Sequence, residues 1–388
     1  MREGTELSEG QVKVNPKIKV CHLSSAHRNT DRRIFEAECT SLAKAGYEVY
    51  LIGQGKSRIQ NDVKVIGLKK SKNRVDRMVR LTRYVYRKAL SLDCDVYHLH
   101  DPELLLYALK LKKHGKKVIF DSHEFYTAQI PEKKYLPKPF MKIFGKIYGI
   151  YEGYILKRID GVICPCTIQG ENPFEGKCKY TALVNNTPVL GEFYEKYDPS
   201  VKKIGSSICC IGNLSYARGI TNLIKAAYMA DARLYLGGMF CSDDYKRSVE
   251  SMPEYSCVTY LGYLDRNQVR QTLSQCSVCV SNTLNIGQYN HCDNLPTKVY
   301  ESMAFGIPVI ISDSPYVREV MSKYPFGKVI DPMDIEGTAN AIRYVLDHPD
   351  RAKEMGEEGR RAIKEMLNWS VDEEQLLKLY EGVADDVL

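Results

Sequence analysis

The sequence predicts an α/β chain of two doubly wound, Rossmann-like domains facing across a cleft, and three observations carry that reading. The chain has 388 residues, beyond the roughly 250–300 at which a single core stops growing. Apolar, strand-like runs alternate with helical stretches, as βαβ units do. That rhythm stops in the Asn- and Pro-rich stretch Thr181–Leu190 and then restarts. The expected division is residues 1–190, residues 191–367, and a helical tail at 368–388 that packs back on the first domain.

In chain order, the first half opens with the strand KIKVCHL (17–23), a polar loop and a helix over Asp31–Ala45, which Gly46 stops. YEVYLIG follows, then strands at 63–67, 95–99, 117–121 and 161–164, with helices between them. The second half reads SICCIG (207–212), a helix from Tyr216, RLYLGG (233–238), VTYLG (258–262), VCVSN (278–282) and PVIIS (308–312). Helices close the chain, with Trp369 and Tyr380 as packing anchors. Ligands of such sheets sit beyond the carboxyl ends of the strands, so the residues just after each strand are the candidates for function.

Composition narrows the class. With 44% hydrophobic and 27% charged residues, the chain is neither disordered nor collagen-like nor membrane-embedded. No apolar run reaches the ~20 residues that span a bilayer. Met1–Val20 is charged throughout and has no apolar signal region, so a cytoplasmic protein is expected. Thirteen scattered cysteines fit a reducing compartment better than a disulfide framework. Cys164-Pro165-Cys166 and Cys276-Ser277-Val278-Cys279 lie in apolar runs with no histidine at zinc spacing, which favours core thiols. Charge is divided unevenly. Residues 1–190 carry 34 Lys and Arg against 20 Asp and Glu, a balance of +14, and the remainder stands at −7. Two domains of opposite sign face different partners.

Four constellations could carry chemistry. In the first, Asp293 to Gly306, Asn294 can cap a helix and Pro296 suits its first turn. The helix start collects free N–H groups for an anion, Lys298 adds a charge, and Glu301 can accept from a vicinal diol. A nucleoside diphosphate fits this set; an ordinary capped helix fits it as well. In the second, Gly212 closes a strand and Arg218 lies near the next helix start, where a guanidinium can hold a diphosphate by paired bonds. The third is His98-Leu99-His100-Asp101-Pro102-Glu103 with Asp121-Ser122-His123-Glu124. His98 and His100 share a strand face, and the cluster reads as a cleft wall, as hydrogen-bonded strand ends, or as a metal site. Asp93-Cys94-Asp95 has the form of a metal-binding DxD but starts a strand, the wrong end for a ligand.

The fourth is a basic, aromatic face. From Lys69 to Lys88 there are nine Lys and Arg and one acid, Asp76. In 133–158, Lys138, Lys142 and Lys146 recur at i+4 among Phe140, Ile143, Phe144, Ile147, Tyr148, Ile150, Tyr151 and Tyr154. Such helices lie on anionic membranes; a solvated face or a nucleic-acid patch are the alternatives, and no nucleic-acid-binding motif accompanies this one.

Together these blocks resemble the retaining GT-B glycosyltransferases of family 4. CHLSSAHRNTDRRIFEAECTSLAKAGYEVYLI is similar to the family's opening strand, acceptor loop and first helix. DVYHLHDPELL and VIFDSHEFY resemble its next marked segments, and Asp293–x7–Glu301 with ESMAFGIPVI resembles its acidic motif. LPTK is similar to members acting in bacterial polysaccharide assembly. The resemblance implies transfer of a hexose or N-acetylhexosamine from a nucleotide sugar, UDP foremost, to a glycan or polyprenyl-diphosphate-linked acceptor. It implies retention of configuration, no cofactor and no metal. Glu301 would bind the donor ribose and Asp293 the sugar hydroxyls. Asn294, Leu295, Thr297 and Lys298, with Gly212, Asn213 and Arg218, would face the diphosphate, while Gly262, Tyr263 and Leu264 read the nucleobase. His123 would stand at the reacting centre. His27, Asp31, His100, Asp101 and Glu124 would form the acceptor side. Asn213 departs from the arginine of the family's phosphate loop, and Arg218 from its lysine. A sugar-nucleotide epimerase of the same fold and a silent, membrane-bound partner of another transferase are the rival readings.

Overall fold

A computed structural model describes residues 17–130, 138–286 and 292–385. The first sheet has eight strands: β1 (Lys19–Arg28), β2 (Glu48–Gln54), β3 (Arg58–Gln60), β4 (Val63–Leu68), β5 (Val96–Leu99), β6 (Lys117–Asp121), β7 (Gly161–Cys164) and β8 (Tyr180–Leu183). Their order is β3-β4-β2-β1-β5-β6-β7-β8, parallel except for the β3–β4 hairpin. The second sheet has six parallel strands: β9 (Ser207–Ile211), β10 (Arg233–Gly237), β11 (Val258–Gly262), β12 (Val278–Ser281), β13 (Val309–Ser312) and β14 (Gly327–Ile330). They run β11-β10-β9-β12-β13-β14. Two doubly wound α/β sheets are what the alternation predicts.

Three strands were not among the expected ones. β3 is three residues long, β8 falls in the stretch read as a linker, and β14 is an edge strand. None carries an apolar run long enough to stand out.

Helices cover both faces of the first sheet, and strand alternation sorts its residues between them. Cys21, Leu23, Tyr97, Leu99, Val118 and Phe120 face one core with Val85, Leu105, Leu111 and Leu156. Val20, Val49, Val96 and Ile119 face the other, under the first helix and the C-terminal helix Trp369–Asp385. That helix is held by Leu376, Leu379, Tyr380 and Val383, and by Trp369 Nε1 donating to Ser41 Oγ at 2.8 Å. Because Val20 and Val96 face this side, so do His22, His98 and His100, two and four residues further on.

The thirteen cysteines are free thiols, ten of the thirteen among the buried core residues. Asp93 pairs with Lys116, and Asp95 accepts from the backbone N–H of Lys19 at 2.8 Å. Both acids therefore sit at the amino end of the sheet, away from the strand ends described next.

Candidate functional site

A cleft of about 530 Å³ opens between the carboxyl ends of the two sheets. Its second-domain wall starts where β9 ends. Gly212, at φ +137, donates its N–H to the Gly237 carbonyl at 2.9 Å, and Asn213 follows into the cleft. Ser215 caps the short turn Tyr216–Arg218 by accepting from the Arg218 N–H. The α-helix itself begins at Ile220, four residues later than expected, because Gly219 intervenes at φ +67. A Cβ at Gly219 would stand 1.7 Å from the Asn282 carbonyl oxygen, so the close approach of these two loops requires glycine. The result is an Arg218 presented on the cleft wall.

On the same wall, the helix Thr297–Ala304 starts one residue after Pro296, which is extended (ψ 143) and caps the helix without a side-chain bond. This corrects two expectations. Asn294 lines the cleft instead of capping the helix, and Pro296 precedes the first turn instead of occupying it, since its extended ψ is not helical. The first N–H groups of a helix have no intrahelical partner, and Thr297 and Lys298 both line the cleft. Lys298 extends to within 3.2 Å of the Cys210 sulfur, beside the Gly212 turn. Leu295 is buried, and its N–H is held by the Tyr300 hydroxyl at 3.2 Å.

Glu301 is buried and accepts from Arg266 Nη1 at 2.8 Å through Oε1, with Arg32 of the first domain at 3.9 Å. Arg266 also pairs with Glu192 and lies over the Phe193 ring at 4.5 Å. Burial opposes its charge, and Glu301 and Glu192 raise its pKa nonetheless. Arg266 went unnoticed in the sequence. The available signal is the Asp265–Gln268 capping box, which places Arg266 at the first position of its helix.

Asp293 is turned toward the first domain. Its Oδ2 accepts from Thr167 Oγ1 and the Gly170 N–H, both at 2.6 Å, and its own N–H reaches the Thr167 carbonyl at 2.9 Å. It therefore ties the two halves together and, unlike Asn294, does not line the cleft. Gly262, Tyr263 and Leu264 do not line this cleft. Tyr263 is exposed, and Leu264 packs with the second core near Gly237.

The first-domain wall is His123 and Glu124, just past β6. Glu124 also accepts from Gln129. Behind His123 lies a buried polar network. Arg33 donates to both oxygens of Asp121, at 3.0 and 2.9 Å, and to the Val184 carbonyl at 2.9 Å. Asp121 in turn meets His100 Nδ1 and His123 Nε2, each at 3.2 Å. Burial works against its charge, but Arg33 and the two histidines hold Asp121 well below the usual carboxylate range. Burial also pulls His100 down to about 4, the Asp121 carboxylate only partly offsetting it.

His100 and Asp101 are both fully buried, which corrects their placement on the acceptor surface. His100 stands behind His123, at 3.0 Å. Asp101 Oδ2 accepts from Ser24 Oγ and from the N–H groups of Ser25 and Ala26, so it shapes the 24–28 loop. His27 stacks on His123 with ring centres 4.7 Å apart, and lies 3.6 Å from Asp31 and 3.4 Å from Asp101. His27 and Asp31 therefore buttress His123 from the loop side. Arg33 and Asp121 have no local sequence signature, because the pair spans 88 residues.

Comparison with known proteins agrees with this fold. The family model for glycosyl transferases group 1 matches residues 200–362, and that for glycosyltransferase family 4 matches residues 33–171, most of the chain between them. A GDP-mannose-dependent monoacylated alpha-(1-6)-phosphatidylinositol monomannoside mannosyltransferase of Corynebacterium glutamicum is 25% identical over 191 residues, covering 47% of this chain and 50% of that one. The alpha-maltose-1-phosphate synthase of Mycolicibacterium smegmatis is 26% identical over 194 residues, covering 46% and 48%. The chain thus spans about half the length of the curated relatives it matches. Among solved structures, sucrose-phosphate synthase from Thermosynechococcus elongatus superposes with a TM-score of 0.74 at 18% identity, over 95% of this chain and 100% of that one. Anabaena HepE in complex with UDP and glucose gives 0.69 at 12% identity, over 94% and 99%. At such identities the likeness is one of fold.

Proposed function

The chain belongs to the GT-B glycosyltransferases of family 4, and on that premise we propose that it transfers a hexose or N-acetylhexosamine from a nucleoside-diphosphate sugar, UDP foremost, to a glycan or lipid-linked glycan acceptor. The setting is bacterial cell-surface polysaccharide assembly, at the inner face of the plasma membrane. One observation carries the reading: Arg218, Lys298 and the open start of the helix at Thr297 share one cleft wall, and His123 and Glu124 stand on the other.

Breaking a glycosyl–diphosphate bond leaves negative charge on the departing phosphate. Fixed cations and N–H dipoles in a sheltered cleft stabilise that charge. Arg218, Lys298 and the helix start take this role, without a metal or other cofactor. Glu301 reads the ribose diol with Oε2, its Oε1 being held by Arg266. Asp293 offers Oδ1 to the sugar hydroxyls, its Oδ2 being taken by Thr167 and Gly170. His123, fixed by His100, Asp121 and His27, positions the reacting sugar. Retention follows from front-face attack, in which the leaving phosphate takes the acceptor proton. The test is transfer itself, read as nucleotide release together with an acceptor heavier by one sugar, with no metal added.

The acceptor side supports a lipid surface. In the helix Lys138–Leu156, Phe140, Ile143, Phe144, Ile147, Ile150 and Tyr154 are each 50–76% exposed, with Lys142 and Lys146 among them. In 74–90, Val75, Met78, Val79 and Tyr84 are exposed beside Arg74, Arg77, Arg80 and Arg83. Residues 133–137 of the basic segment lie outside the described residues. Apolar side chains at helical spacing among basic ones suit a headgroup boundary. Nothing in this arrangement favours nucleic acid. No helix among the described residues is long and apolar enough to cross a membrane. The chain is expected to sediment with anionic vesicles at low salt, and Ile147→Glu with Lys146→Glu to stay in the supernatant. Wild-type protein left in the supernatant would remove lipid from the account.

A further inference from the structure

We propose that His22, His98, His100 and Glu38 form a buried structural site for a zinc-class divalent ion beneath the first sheet. The sequence pattern brings them together. His22 and His98 are register partners on β1 and β5, and His100 shares their face two residues on. Glu38 reaches the same point from the wide first turns of the helix that covers this face, Arg32–Cys39. All four side chains are fully buried, and each brings a ligand atom within 4.8 Å of the others.

The spacing suits a metal. His22 Nδ1 and His100 Nε2, hydrogen-bonded to each other at 2.9 Å, are each 3.9 Å from Glu38 Oε2, and an ion would replace the proton they share. The point equidistant from these three atoms lies about 2.1 Å from each, the length of a zinc–imidazole or zinc–carboxylate bond. His98 supplies the fourth position. Its Nε2 and Glu38 Oε2 are buried atoms with no hydrogen-bond partner. Such atoms are rare in folded proteins and call for an explanation.

The groups behind the ligands are those a metal needs. A ligating histidine donates its other ring N–H to a carboxylate or similar partner. Here His100 Nδ1 faces Asp121 Oδ2 at 3.2 Å, and His98 Nδ1 meets the Tyr380 hydroxyl at 2.8 Å. Arg33 lies 3.0 Å from the other Glu38 oxygen, Oε1, which leaves Oε2 for the ion. Three imidazoles and one carboxylate select zinc over magnesium or calcium, and four protein ligands make a closed, structural site. None of the four lines the cleft, so this ion touches no substrate there, and either claim can fail alone.

The full chain, without a histidine tag and purified without chelator, tests the site by elemental analysis. About one zinc ion per chain is expected, along with visible ligand-field bands when Co²⁺ replaces zinc. Glu38→Gln should lose the stoichiometric ion. Tyr380→Phe, which keeps the shape of the core, should weaken zinc binding by about 10–100-fold. A folded wild-type chain with no stoichiometric metal, no Co²⁺ bands and no rise in Tm on adding Zn²⁺ would overturn the site. So would an ion that both variants bind as the wild type does.

Discussion

Lys298→Ala is expected to lower kcat by about 10²–10³-fold, as the loss of one preorganised donor to a developing oxyanion does. The lysine enters the cleft beside the Gly212 turn, on the wall that also presents Arg218 and the helix start at Thr297. The diphosphate is charged before the reaction and more so as the bond to the sugar breaks. Interactions that strengthen on the way to the transition state appear in kcat more than in KM. The donor KM should therefore rise less than kcat falls. Arg218→Ala should behave alike. The double variant should fall short of the product of the two, because both cations act on one leaving group. Wild-type turnover in both single variants would take the diphosphate away from this wall.

Asp121→Ala should cost about 3–5 kcal/mol of stability, the range for breaking one partner out of a buried ion pair. The carboxylate receives two N–H bonds from Arg33 and faces His100 and His123. Its removal takes the two-bonded partner from a buried guanidinium and leaves it only Glu38, 3.0 Å away, as a neighbouring acid. Urea unfolding reads the loss as a lower midpoint with an unchanged slope. A loss below about 1 kcal/mol would mean that this pair is no more than a surface bridge in energetic terms. His123 is also left without its carboxylate partner, so activity should fall even where the variant remains folded.

Strand–helix alternation yields both sheets, because buried parallel strands read as continuous apolar runs such as SICCI and PVIIS. The placement of Gly212, Arg218, Lys298 and Glu301 on one cleft follows from position after strands and at a helix start, both local features. What was hidden is set by contact across the fold. Arg266 holding Glu301, Asp293 tied to Thr167, and Arg33 under Asp121 are pairs far apart in sequence. Asp101 shows the limit clearly. Its position past β5 is that of a cleft residue, yet three backbone and hydroxyl donors of the 24–26 loop turn it inward. The helix start slipped for a different reason, since Pro296 fixes φ while leaving ψ free to be extended.

Transfer by the purified chain tests the central claim most directly. Panels of UDP-, GDP- and dTDP-sugars are incubated with short polyprenyl-diphosphate-sugar acceptors, without added metal, and followed by mass spectrometry. The expected result is release of one nucleoside diphosphate matched by an acceptor heavier by one sugar, dependent on Lys298. A donor that binds and is consumed without any acceptor, its sugar only rearranged, would point to an epimerase. No release from any donor, with or without acceptor, would contradict the transferase.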